Sequence, residues 1–235
     1  MSRYKLRANY DIENIDSQKM DGTVIVDVPM LSNGELNYGL SHIKKKLYEE
    51  NVYPSEIGFD IMSLATMVYM ADTRIERVVH GQDSWTREIE LEIPVSNVEI
   101  WDSQIRTVER MLKFLTGDLW KITLSSRAWQ FNNLEEVREK SNKYDEVSLF
   151  SGGMDSLIST INLMENKKNT LLISHAGEGL TKNAQKNIVN KFDLLYPDVL
   201  HTWLDLWMVF PRDYIPAGGN DNNTRSRYRV FLEMS

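Results

Sequence analysis

Val147-Ser148-Leu149-Phe150-Ser151-Gly152-Gly153-Met154-Asp155-Ser156-Leu157-Ile158 is the stretch that decides the fold of the second half of this chain. Residues 147–150 have buried-strand character. They run into a Ser-Gly-Gly bend that opens onto a helical stripe of Leu157, Ile158, Ile161 and Met164. Glycine permits backbone angles that other residues resist, so the turn from strand to helix can be tight. With no Cβ at 152 and 153, a ligand can approach the main chain closely. Successive N–H groups in such a turn form an anion-binding hollow. The helix start adds unpaired N–H groups and the positive end of a dipole. Ser151 and Ser156 supply hydroxyls able to donate to phosphate oxygens. Asp155 is a carboxylate beside a predicted anion site, which is favourable where it binds Mg2+ or caps nearby N–H groups. A plain loop with Asp155 and Ser156 as helix caps is the other reading of the same residues.

Working outward, the pattern from Glu146 is β-α-β-α-β. Residues 170–174 and 199–206 read as strands. Residues 181–196 read as a helix with Ile188, Val189, Phe192 and Leu195 inward. Strands alternating with helices imply parallel pairing and right-handed crossovers. His175 follows the second strand at the C-terminal sheet edge, where ligands bind in such sheets. His42, His80 and His201 have no partner pattern and read as structural. Asp205, Asp213 and Asp221 are further candidate contacts for a metal or substrate. Residues 131–145 are polar and charged and read as a linker. The expected division is an N-terminal α+β extension over 1–140 and a parallel-sheet domain over 141–235.

The front half reads as mixed α and β. Asp21-Gly22 marks a turn and residues 23–28 a strand ending at Pro29. Ser55 is placed to cap a helix whose Ile61, Leu64, Ala65, Val68 and Tyr69 form the buried stripe. Residues 86–95 alternate, with Arg87, Ile89, Leu91, Ile93 and Val95 on one face and Thr86, Glu88, Glu90 and Glu92 on the other. One wet face is typical of an antiparallel sheet, so the extension is expected to be antiparallel and β-rich. A helix from about Ser103 uses Ile105, Val108, Met111, Leu112 and Leu115, with Gly117 at its end. Trp120, Ile122 and Leu124 alternate as a further strand. Asp72, Arg74 and Arg87 read as an internal ion-pair set or, alternatively, a substrate site.

Composition sets the outer limits. The chain has 235 residues, 42% hydrophobic and 26% charged, which is ample for a core. No run approaches the ~18 apolar residues that span a membrane, and the N-terminus has no apolar signal region. The absence of cysteine excludes disulfides and thiolate chemistry. A cytoplasmic location fits these features. The net charge of −7 argues against broad nucleic-acid binding, which needs many cations against phosphates. Lys44, Lys45 and Lys46 read as a solvated helix face or a small binding patch.

Ser151-Gly152-Gly153-Met154-Asp155-Ser156 resembles the SGGxDS signature of PP-loop ATP pyrophosphatases, which cleave ATP between the α- and β-phosphates. It lacks the Gly-Lys-Ser/Thr of a Walker A loop. The chain is similar to the QueC group, the 7-cyano-7-deazaguanine synthases. The later run Thr224-Arg225-Ser226-Arg227-Tyr228-Arg229-Val230-Phe231-Leu232 is similar to that group's Gly-Arg-Asn-hydrophobic-Phe-Leu stretch. Tyr69-Met70-Ala71-Asp72, Trp85-Thr86-Arg87, Ile93-Pro94-Val95, Trp101 and Leu115-Thr116-Gly117-Asp118-Leu119-Trp120 resemble the extension of the QatC proteins of the bacterial Qat anti-phage systems.

The resemblance implies an α/β, Rossmann-like domain of the adenine nucleotide alpha hydrolase kind, using ATP and Mg2+. The implied reaction adenylates a small-molecule carboxylate of the 7-deazaguanine type, releases pyrophosphate and forms an amide, a nitrile or an amine conjugate. Ser151, Gly152, Gly153, Met154, Asp155, Ser156, His175 and Arg225 are the expected nucleotide contacts. Asp155 and Arg227 are the expected catalytic groups, and Asp155 the Mg2+ ligand. Arg225 and Arg227 also read as surface arginines on a terminal helix. A protein partner from the same defence operon is expected, and a non-catalytic nucleotide-binding subunit is the alternative role. The group's cysteine-rich zinc site is absent, and the PP-loop domain is expected to be truncated after Ser235.

Overall fold

The computed structural model describes residues 3–128, 130–131, 143–175 and 179–211. Contacts divide the described residues into two compact units, one drawn from the stretches within 3–38, 54–131 and 209–211, the other from 39–53 and the stretches within 143–208. The segment 39–53, which the linear reading left in the front half, packs within the second unit.

In chain order the front elements are β1 (Arg3–Asn9), β2 (Asp16–Met20), β3 (Thr23–Pro29), the short β4 (Leu31–Ser32) and β5 (Glu35–Leu36), α1 (Leu40–Glu49), α2 (Glu56–Arg74), α3 (Arg77–His80), β6 (Glu88–Val95), α4 (Val98–Asp102), α5 (Ile105–Thr116) and β7 (Leu119–Ser126). All but α1 belong to the first unit. Its main sheet has the order β2-β3-β1-β6-β7. The antiparallel expectation fails here. β1 pairs in parallel with β3 and β6, β6 pairs in parallel with β7, and only β2 and β3 are antiparallel. Alternation along residues 86–95 reports one buried and one wet face, but it does not encode strand direction. The wet face of this parallel sheet is held by cross-strand ion pairs. Lys5 meets Glu90 at 3.0 Å and Glu92 at 2.9 Å, and Arg3 meets Glu88 at 2.8 Å.

Local signals hold well. Ser55 caps α2, its Oγ accepting from the Gly58 N–H at 3.0 Å, and α5 closes at Gly117. The buried surface of α2 is wider than the stripe of Ile61 and Leu64, which are half-buried. From Ala65 to Thr73 every residue is buried, polar ones included. A helix apolar on most sides is a core helix, and α2 contacts both β1 and β6.

The second unit contains α1, β8 (Glu146–Leu149), α6 (Met154–Glu165), β9 (Thr170–His175), α7 (Gly179–Leu195) and β10 (His201–Leu206). The strands are all parallel, in the order β10-β9-β8. Phe150, Leu172 and Phe192 form the core, with Leu157, Ile161, Ile188, Val189, Tyr196 and Trp203 packed against it. Ile158 and Leu195, expected inward, are 51% and 69% exposed. On α6 the inward line runs through Leu157, Ile161 and Met164, and beyond Phe192 the inward place falls to Tyr196. No described helix is long and apolar enough to cross a membrane.

Candidate functional site

The Ser-Gly-Gly bend lies where the sequence places it, at the C-terminal tip of β8 and against the start of α6. Cross-strand bonds anchor the tip. The Phe150 N–H donates to the Ile173 carbonyl at 2.7 Å. The Ser174 hydroxyl donates to the Phe150 carbonyl, and the Trp203 indole N–H donates to Ser174 Oγ at 2.8 Å. The strand end is therefore rigid and the bend after it is exposed, with Met154 70% open to solvent.

The two glycines have different reasons to be glycine. Gly152 has φ +81°, and a Cβ added there would sit 3.0 Å from Gln185 Cγ, so the fold demands glycine. Gly153 has φ −82° and ψ 171°, ordinary extended backbone, and an added Cβ would meet only Ser151 Oγ at 3.4 Å. Among the described residues, packing does not call for a bare backbone at 153.

Around Gly153 the polar groups engage one another only loosely. Ser151 Oγ and Ser156 Oγ are 3.1 Å apart, the Gly153 N–H donates to Ser151 Oγ at 3.3 Å, and the Ser156 hydroxyl donates to the Gly153 carbonyl at 2.9 Å. Among the described residues no side chain caps α6 at Gly153, and Asp155 stands exposed in the first turn. Asp155 and Ser156 therefore do not act as the N-cap that the plain-loop reading assigned them. Uncapped N–H groups, two serine hydroxyls and a bare glycine fit a phosphate group. For Mg2+ the structure offers less. No cluster of three or more His, Asp or Glu exists among the described residues. Asp155 would hold the ion together with nucleotide phosphates and water, which is how Mg2+ is commonly bound.

His175 ends β9, opposite Leu206 in the strand register and at the same sheet edge. Arg225, Arg227, Asp213 and Asp221 lie outside the described residues. Asp205 is no open metal ligand. It pairs with Lys46 from α1 and Lys182 from α7. Burial alone would raise its carboxyl pKa, but the Lys182 and Lys46 ammonium groups more than offset this and hold it below the ordinary carboxylate range. Lys46 thus leaves the solvated face on which its run of three lysines suggested it would lie.

The ion-pair reading of Asp72 and Arg87 agrees with the structure, with changed membership. Arg87 and Asp72 pair inside the first unit, joined by Asp118 and Arg77. Arg87 reaches Asp118 Oδ2 at 2.6 Å, and Arg77 reaches Asp118 at 2.7 Å and Asp72 at 3.0 Å. Arg74 is not a member, since it donates to the carbonyls of Phe210 at 2.6 Å and Pro211 at 3.0 Å. His80 bonds Tyr4 and His201 bonds Asp193, as structural histidines do. The residue that sequence reading missed at the bend is Gln185. Its signal was present: it lies on the apolar line of α7 with Ile188, Phe192 and Tyr196, where a polar side chain needs a reason. No family model, curated protein or solved structure matches this chain.

Proposed function

We propose that this protein binds ATP through the Ser151–Ser156 bend and acts as a QueC-like PP-loop enzyme. The observation that carries the reading is Gly153, left bare and solvent-facing where packing would accept a side chain, at the uncapped start of a twelve-residue helix. In the proposed reaction a carboxylate oxygen of a 7-deazaguanine-type substrate attacks the α-phosphorus of ATP. The bond from that phosphorus to the α,β-bridging oxygen breaks, and pyrophosphate leaves with the electron pair. Ammonia or another amine then attacks the acyl adenylate, forming an amide and releasing AMP. The bend's N–H groups and the hydroxyls of Ser151 and Ser156 would receive the leaving pyrophosphate, and preorganised donors aimed at developing charge are an effective catalytic device. Asp155 would carry Mg2+ there. By the resemblance stated above, the setting is bacterial anti-phage defence of the Qat kind.

The test is Mg2+-dependent release of pyrophosphate and AMP from ATP by the whole protein, with 7-carboxy-7-deazaguanine as the trial carboxylate. Asp155→Ala should reduce it by at least about a hundredfold, a typical loss when charge stabilisation of the leaving group is removed. Equal AMP formation by the variant would sink the mechanism.

A second reading is a nucleotide-binding subunit without turnover. The exposed aromatic side chains of the first unit favour it, with Phe114 82% and Trp85 55% open to solvent. Such side chains are common anchors for a protein partner. Tight ATP binding with no pyrophosphate release, in the presence of neighbouring operon products, would select this reading.

A further inference from the structure

We infer that Gln185, on α7, is the positioning residue that shapes the bend into a phosphate site, an inference that rests on the phosphate reading of that bend. Gln185 is fully buried. Its carboxamide N–H donates to the Ser151 carbonyl at 3.0 Å and lies 3.5 Å from the Phe150 carbonyl. Its Cγ occupies the space that a side chain at 152 would need. Gln185 thus holds the Ser151 carbonyl inward, beside a Phe150 carbonyl that Ser174 also binds, and leaves no room for a side chain at residue 152.

In a peptide chain, carbonyls drawn to one side of a tight turn leave the following N–H groups toward the other. Here that other side is the exposed one, where Gly153 and the first turn of α6 begin. Gln185 therefore helps decide whether the bend presents donors or acceptors to solvent, and a phosphate accepts only donors.

The other half of the carboxamide supports the inference. Gln185 Oε1 is buried with no hydrogen-bond partner among the described residues. A buried acceptor left unmatched costs stability, and a methionine or leucine on the apolar line of α7 would avoid that cost. Keeping an amide there makes sense when its donor half has work to do at the bend.

The experiment has two arms, both on the full chain. Amide hydrogen exchange without nucleotide reads the hold of Gln185 on the bend, and calorimetric titration with pyrophosphate and with Mg-ATP reads the binding. Gln185→Met keeps length and volume but cannot donate. It should speed exchange of the 151–154 amides by about tenfold and weaken both ligands by a similar factor, the scale of one buried hydrogen bond. Exchange in β9 should stay unchanged. Gln185→Glu should bind pyrophosphate poorly at pH 8, where a carboxylate faces the Ser151 carbonyl. Its affinity should recover relative to the native protein as pH falls and the protonated carboxyl donates in place of the amide. Native exchange and native affinity in Gln185→Met would overturn the inference. Faster exchange in that variant, with no ligand bound by the native protein, would leave Gln185 shaping the bend and overturn the phosphate reading instead.

Discussion

Two polar regions of this molecule have opposite designs. In the first unit Asp72, Arg77, Arg87 and Asp118 form a closed cluster of two carboxylates and two guanidiniums, with side chains 0–6% exposed. Its charges cancel, and its members bind one another and nearby carbonyls, including those of Asp72 and Ile75 beside Arg87. In the second unit the Ser-Gly-Gly bend carries no such pairing among the described residues. Its hydroxyls and N–H groups make a few contacts of 2.9–3.3 Å with one another and face solvent. The contrast is between charges spent on one another inside the first unit and donors left at the surface of the second. The charged cluster is paired within the first unit, although Asp72 Oδ2 is buried without a hydrogen-bond partner among the described residues, whereas the sparse neutral donors of the bend face solvent.

Breaking the closed cluster should have the largest effect. Arg87→Met leaves Asp72 and Asp118 buried with Arg77 alone, and loss of one partner from a buried ionic network typically costs about 3–5 kcal/mol. Urea denaturation measures this, and a loss below about 1 kcal/mol would mean the cluster is wetter than described. Next in size is the glycine pair. Gly152→Ala should destabilise by about 1–2 kcal/mol, because L-residues resist the left-handed region, with the close approach to Gln185 adding to that. Gly153→Ala should leave stability within about 0.5 kcal/mol, as for surface positions without special geometry, while weakening phosphate binding. Equal stability losses at the two positions would erase the distinction between them.

The Asp205 site sharpens the comparison through pH. Its carboxyl pKa is depressed in the folded chain, so its contribution to stability is fully present above the ordinary carboxyl value of about 4. That contribution is lost as pH falls below that value through the folded-state pKa. Asp205→Asn should therefore lower stability at pH 7 and shrink the loss seen on acidification. An unchanged acid limb would show that the two lysines do not hold the carboxylate. The smallest effect is expected at the bend itself. Ser151→Ala with Ser156→Ala should shift the unfolding midpoint very little, by about 0.5 kcal/mol or less, and should still impair ATP-dependent pyrophosphate release. A large stability loss would recast the serines as structural.

Much of this was legible in advance. The elements of the second unit, the cap at Ser55 and the helix end at Gly117 follow from local rules, because capping and periodicity depend on residues a few positions apart. The bend was legible for the same reason. Gln185 was not, since its role depends on a helix about thirty residues away crossing behind the bend. The partners Arg77 and Asp118 were missed on the same ground: charges distant in sequence meet only when the chain folds.

The sequence alone determined the cap at Ser55, the helix end at Gly117, the alternating faces of residues 86–95, the β-α-β-α-β order of the second unit, and that a glycine bend joins β8 to α6. Each of these is set by nearest neighbours along the chain and by the periods of 2 and 3.6. Only the tertiary structure decided that the first sheet is largely parallel, that Lys46 and Lys182 neutralise Asp205, and that Gly152 is required by packing while Gly153 is left bare. Strand direction, charge pairing and free space arise between segments remote in sequence, so no local pattern carries them.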